Sequence, residues 1–141
     1  MEIIADTNRI IAALIKDGAS RKIILSGKFT IYTVEFGVKE VKKYRQLIKK
    51  KAEITDGQLD AVMSSLLSKI IVMNERGIAA EKIFQAVKII GHIDKDDVPF
   101  IALSLALGKT PVWTDDKHFK AQRAIKALTT NRLAKLMQLQ G

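Results

Sequence analysis

The sequence predicts an α/β fold, a three-layer α/β/α sandwich around a central, mostly parallel sheet, and three observations predict it. Short apolar or β-branched runs alternate with helical ones along the chain, as strands joined by crossover helices do. One helical segment, VPFIALSLAL, is apolar on nearly every side and so belongs between layers. At 141 residues, 48% apolar and 28% charged, the chain has the length and composition of one globular domain, residues 1–141, with no internal repeat, linker or charge block to divide it.

The elements follow in order. Glu2 to Ala5 is an apolar run ending at Asp6, and Arg9 to Lys16 continues with helical periodicity until Gly18, so strand then helix is expected, with Asp6, Thr7 or Asn8 as the cap. Ser20 is a cap candidate for a short helix through Leu25 that Gly27 ends, and Phe29 to Thr33 alternates like a strand. From Glu35 to Lys51 the apolar residues Phe36, Val41, Tyr44, Leu47 and Ile48 recur at helical spacing among seven basic residues, which predicts one basic amphipathic helix. Thr55 with Gln58 forms a capping-box pattern opening a helix through Leu67. Ile70 to Met73 is a compact strand, and Ala79 to Ile90 a helix closed by Gly91. The acids of HIDKDD mark the start of the buried helix, with Pro99 in its first turn and Gly108 at its end. Thr110 to Thr114 is a strand, Lys126 to Thr129 a last short one, and Asn131 caps a closing helix from Arg132 to Leu139.

Composition removes several chemistries. With no cysteine, the chain has no disulfide framework, thiolate metal site or cysteine nucleophile, and His92 and His118 alone do not assemble an ordinary zinc site. The acidic N-terminus and the shortness of the longest uncharged apolar run, Val98 to Leu107, predict a soluble, intracellular protein, cytoplasmic and not membrane-bound. Lys and Arg number 24 against 15 acids, a net charge of +9 that attracts polyanions such as RNA, although a Lys-rich solvated surface explains the same excess.

Ligands of open α/β sheets bind beyond the carboxyl ends of the strands, and there this sequence places acids. Asp6 follows the first strand, Asp115 and Asp116 follow TPVWT, and Asp94, Asp96 and Asp97 open the buried helix. Glu40 shares a helical stripe with Phe36 and Tyr44, where a carboxylate needs a cation or donors. Each acid has an ordinary alternative: Asp6 and Asp97 as helix caps, Asp115 and Asp116 as turn residues, Glu40 as the partner of a neighbouring lysine on a solvated flank. Independent caps, however, have no reason to gather on one sheet edge. Carboxylates sharing a cleft repel unless a cation neutralises them, and all-oxygen ligation suits Mg²⁺ or Mn²⁺. His118 follows the last of these acids, where a flanking role is its commoner use.

The order DTN after the first strand, an acid in EFGVKEVKKY, then DDVPFIALSLALG and VWTDDKHF resembles the PIN-domain family, small metal-dependent ribonucleases that include VapC-type toxins. The resemblance runs from Asp6 to Phe119, with Glu53 to Ile90 matching only in helical character. It implies four acids at Asp6, Glu40, Asp97 and Asp116 that are both metal-binding and catalytic, with Asn8 and Thr114 as supporting polar residues. Asp94 is a further supporting acid, and Glu35 is accounted for by its place at a helix start. The implied activity is hydrolysis of RNA phosphodiester bonds with Mg²⁺ or Mn²⁺, leaving 5′-phosphate and 3′-hydroxyl ends. The basic helix suggests a backbone-binding flank of Lys39, Lys42, Lys43 and Arg45. Few aromatic residues are expected on the surface, so base stacking is not predicted. The resemblance further implies a homodimer and, for a VapC-type toxin, a small antitoxin protein as partner. Competing readings are a catalytically inactive PIN-like module that binds RNA or protein, and a doubly wound phosphoacceptor domain, to which Glu40 gives no help.

Overall fold

The computed structural model describes residues 1–140. Five strands, β1 (Glu2–Ala5), β2 (Thr30–Val34), β3 (Ile70–Met73), β4 (Val112–Trp113) and β5 (Ala127–Leu128), form one sheet in the order β3-β2-β1-β4-β5. Every pairing is parallel. The eight helices are α1 (Thr7–Ile15), α2 (Ala19–Leu25), α3 (Glu35–Lys43), α4 (Arg45–Ala52), α5 (Asp56–Leu67), α6 (Ala80–Ala86), α7 (Val98–Ala106) and α8 (Thr130–Gln140).

The two-residue period of a strand covered on both faces explains why β1 is apolar from Ile3 to Ala5. Ile3 and Ala5 point to one face, where they pack with Ile10, Ile23, Leu59, Trp113 and Leu133, while Ile4 points to the other, among Val34, Ile90, Phe100, Ile101 and Val112. Helices therefore cover both faces, and α7 is buried from Phe100 to Ser104 as its composition requires. Its exit is fixed by the Ser104 hydroxyl, which donates to the Thr110 carbonyl at 2.6 Å, and by positive φ at Gly108 and Lys109.

The chain builds β1, β2 and β3 to one side and then returns to lay β4 on the opposite side of β1. The crevice beyond the ends of β1 and β4 is thus the switch point at which open α/β sheets bind ligands.

Several expectations are corrected. The single helix expected over Glu35 to Lys51 is two, broken at Tyr44 (φ −93°, ψ 16°), whose N–H is shared between the Glu40 and Val41 carbonyls. A one-residue break preserves the apolar stripe, so periodicity cannot reveal it; ion pairs from Arg45 to Asp56 and Asp60 and from Lys49 to Asp56 fasten α4 to α5. Ser20 does not cap α2 but lies buried inside it, after Gly18. Asn131 is not the cap of α8: the Thr129 hydroxyl accepts from the Arg132 N–H, and helix begins at Thr130. The helix expected to Ile90 ends as α6 at Ala86 and continues as a π-helical turn, Val87–Gly91. The Thr55 and Gln58 capping box is present with both reciprocal bonds.

Candidate metal centre

Beyond the switch point lies a cleft of about 350 Å³ whose lining includes Asp6, Asn8, Glu40, Asp94, Asp97 and Asp116. Asp6 leaves the end of β1 and caps α1, its Oδ1 accepting from the Arg9 N–H at 2.9 Å. It is only 7% exposed, and burial raises its carboxyl above the ordinary range against the opposing pull of hydrogen bonds from the Thr114 hydroxyl and the Arg9 backbone and of the Arg9 charge. Thr114 itself is fully buried at the end of β4, where its hydroxyl accepts from the Asp116 N–H at 3.1 Å. That contact, with the Asp116 Oδ1 accepting from the His118 N–H at 2.9 Å, folds the chain back so that Asp116 enters the cleft.

Asp97 does not serve the capping role open to it. No side-chain cap bond forms at the start of α7; Asp94, whose Oδ1 accepts from the Asp96 N–H, caps the preceding 3₁₀ turn Lys95–Asp97. Asp97 is instead surrounded by its own kind. Its carboxyl is raised to about 7, first by burial and then by the charges of Asp94, Asp116, Asp6 and Asp96. Its Oδ2 is buried with no hydrogen-bond partner. One carboxylate oxygen from each of Asp94, Asp97 and Asp116 lies within 4.8 Å of the others. An orphaned buried oxygen among converging carboxylates fits a hard divalent cation such as Mg²⁺ or Mn²⁺, which takes oxygen ligands and cancels the repulsion.

Asp94, expected only as a supporting acid, therefore stands in the tightest group. Asp6 and Glu40 line the same cleft outside that group. Glu40 is held from the α3 wall by the Thr7 hydroxyl, which donates to its Oε1 at 2.9 Å. Asn8 is exposed at the mouth. Glu35 lies in the first turn of α3, where the Phe36 N–H is taken by Glu75 from beyond β3. His118 is exposed, its Nδ1 3.6 Å from Asp116, and is not among the lining residues.

Asp115 and Asp116, neighbours in sequence, separate in role. Asp115 turns away to pair with Arg9 at 2.6 Å and to accept from both the backbone and the hydroxyl of Thr130, tying α8 to the end of β4. Trp113 Nε1 and Arg9 donate to the same Thr130 hydroxyl. Of the expected basic flank, Lys39, Lys42 and Lys43 are exposed on α3, whereas Arg45 is engaged by Asp56 and Asp60. Sequence reasoning missed Thr7, Ile11, Tyr44, Leu47 and Lys51 as cleft residues. The adjacency of Thr7 to Asp6, and the helical stripe that Tyr44 shares with Glu40, were the signals for two of them.

Comparisons with known proteins bear on the family and the fold. The family model described as PIN domain matches residues 4–137. No curated protein matches the sequence. A chain in the crystal structure of VapBC2 from Rickettsia felis bound to a DNA fragment from their promoter superimposes with a TM-score of 0.67 at 16% identity, covering 92% of this chain and 98% of that one.

Proposed function

The chain belongs to the PIN-domain family, and on that premise we propose that it is a metal-dependent endoribonuclease hydrolysing RNA phosphodiester bonds. The observation that carries the proposal is the convergence of Asp94, Asp97 and Asp116 at the sheet's switch point, where Asp97 also has a buried carboxylate oxygen with no partner. These three residues hold the cation, with Asp6 adding negative charge from the end of β1. A bound Mg²⁺ or Mn²⁺ supplies Lewis acidity: it lowers the pKa of a water and offsets charge developing on the phosphate oxygens. Glu40, fixed by Thr7, orients the attacking water from the α3 wall. Lys39, Lys42 and Lys43 hold the RNA backbone by charge without reading sequence.

The likeness to a chain of VapBC2 supports a toxin role with a small antitoxin protein as partner; a homodimer as the working form belongs to the same proposal and rests on the family resemblance alone. No described helix is long and apolar enough to cross a membrane.

The test is cleavage of a mixed pool of single-stranded and structured RNA in Mg²⁺, Mn²⁺ or chelator by wild type, Asp6→Asn and Asp116→Asn. Cleavage that needs the cation and is lost in both variants supports the assignment. Absence of wild-type cleavage in either metal, or cleavage indifferent to both substitutions, overturns it in favour of a PIN-like binding module.

A further inference from the structure

The break between α3 and α4 changes what the cleft can recognise. Tyr44, at the break, is 39% exposed and forms part of the cleft wall. Leu47, 47% exposed, stands beside it, and Ile11 lines the same cleft from α1. Phe84, also well exposed, is on α6 and does not line the cleft. Apolar surface left in water at the mouth of an acidic site is free to be covered by a ligand.

Glu40, Tyr44, Leu47 and Lys51 follow one another at intervals of three or four residues and all line the cleft, forming a row from carboxylate through ring and alkyl group to ammonium. Seven residues from Tyr44 to Lys51 span about 10 Å at helical rise. The Lys43 ammonium lies over one face of the Tyr44 ring, 5.8 Å from its centre, and Lys51 lines the cleft from α4. A flat, apolar-faced group with a negative charge on the side towards Lys51 is the complement of the ring, alkyl group and ammonium of this row, and a nucleotide has that form.

We propose that Tyr44, with Leu47 on the same cleft wall, is a positioning residue: a stacking platform for one unpaired nucleobase of an RNA strand whose neighbouring phosphate is presented to the acids. The inference rests on the nuclease reading for the direction in which the strand runs. Paired bases in an A-form helix are already stacked and offer no free face, whereas an unpaired base can turn out onto an aromatic ring. Stacking is tolerant of base identity, so the platform selects strandedness more than sequence.

The test is binding of a single-stranded ten-nucleotide RNA carrying one 2-aminopurine, whose fluorescence is quenched on stacking, in Ca²⁺ and on strand shown intact by gel. Wild type, Tyr44→Ala, Tyr44→Phe and Tyr44→Trp are compared, with a fully paired duplex as control. Tyr44→Ala should weaken single-strand binding by about 5- to 150-fold and relieve quenching, with duplex binding unchanged and with Phe and Trp restoring both. Should the alanine variant unfold, Tyr44→Leu replaces it, filling similar space without a ring. Single-strand binding within twofold of wild type, an equal loss on duplex, or a phenylalanine variant as weak as alanine overturns the platform. If Asp116→Asn abolishes cleavage while the Tyr44 variants bind and cut normally, the platform fails and the nuclease reading stands. If Tyr44→Ala loses the quenching on a protein that cuts no RNA, the nuclease reading fails and the platform stands.

Discussion

Replacing Asp97 with asparagine should stabilise the cation-free protein, and the size of the gain follows from the site. Burial and four neighbouring carboxylates hold the Asp97 carboxyl near 7 against an ordinary 3.8. Because the folded-state value is raised, the folded protein keeps a proton that the unfolded chain has lost between about pH 4 and 7. The unfolded state then binds fewer protons, so stability falls as pH rises through that window, and the full penalty is present above it. Three pH units correspond to about 4 kcal/mol as a ceiling. Asp97 is partly open to the cleft, so solvent screening reduces this to about 1–2 kcal/mol. Asparagine keeps the shape, carries no charge and does not titrate there.

Urea denaturation of wild type and Asp97→Asn in chelator at pH 5 and pH 8 measures the effect. The variant should be more stable by about 1–2 kcal/mol at pH 8, with most of the difference gone at pH 5, where wild-type Asp97 is itself protonated. Adding Mn²⁺ should reverse the ranking, because a ligand that binds only the folded wild type stabilises it by mass action. Equal stability at pH 8 in chelator, or a loss at both pH values, would refute the claim that Asp97 sits in an unrelieved field of like charge.

Asp94→Asn and Asp116→Asn should each lower cation-dependent RNA cleavage by more than about 100-fold, since removing even an outer partner of a metal site costs 10- to 100-fold; the check is initial rate against Mn²⁺ concentration. Asp115→Ala should instead lower stability by about 1–3 kcal/mol in thermal or urea melts while leaving Mn²⁺ affinity near wild type, because that residue binds Arg9 and Thr130. Changing Lys39, Lys42 and Lys43 together to glutamine should flatten the slope of log K against log salt for single-stranded RNA by about 2, and Arg45→Gln should do less because Asp56 and Asp60 already hold it. Gly37→Ala should cost about 1–3 kcal/mol, because a Cβ there meets Phe100 at 3.1 Å and the Thr33 hydroxyl at 3.2 Å.

What could be read from the sequence was what local pattern decides. Alternation of runs placed the strands within a residue or two, the uniformly apolar VPFIALSLAL was a buried helix, and Thr55 with Gln58 opened α5 as a capping box should. Acids after strands mapped onto the switch point because topology, once parallel, leaves few other places for them. Features decided by distant partners were not legible. The prominence of Asp94 depends on a 3₁₀ turn that carries it towards Asp97 and Asp116. The structural duty of Asp115 depends on Thr130, fifteen residues away. The break at Tyr44 leaves the helical stripe intact and is therefore invisible in it, and α4 beyond that break is fastened by ion pairs to α5.

The cleft and the surface around it carry opposite charge, and the proposed function needs both. On that proposal, a chain at +9 would draw RNA from solution, and exposed lysines on α3 would give the backbone a place to rest. Asp94, Asp97 and Asp116 repel the same backbone at short range until a cation is held among them. Without the ion, RNA should therefore occupy the basic flank and stop short of the acids; with it, the scissile phosphate can approach. Cation concentration then governs cleavage in two ways, by supplying Lewis acidity and by removing an electrostatic barrier to entry. These separate experimentally, because the second predicts that a cation too poor a Lewis acid to support cleavage still deepens RNA binding in wild type. In Asp116→Asn, which has less charge to neutralise, the same cation should deepen binding less.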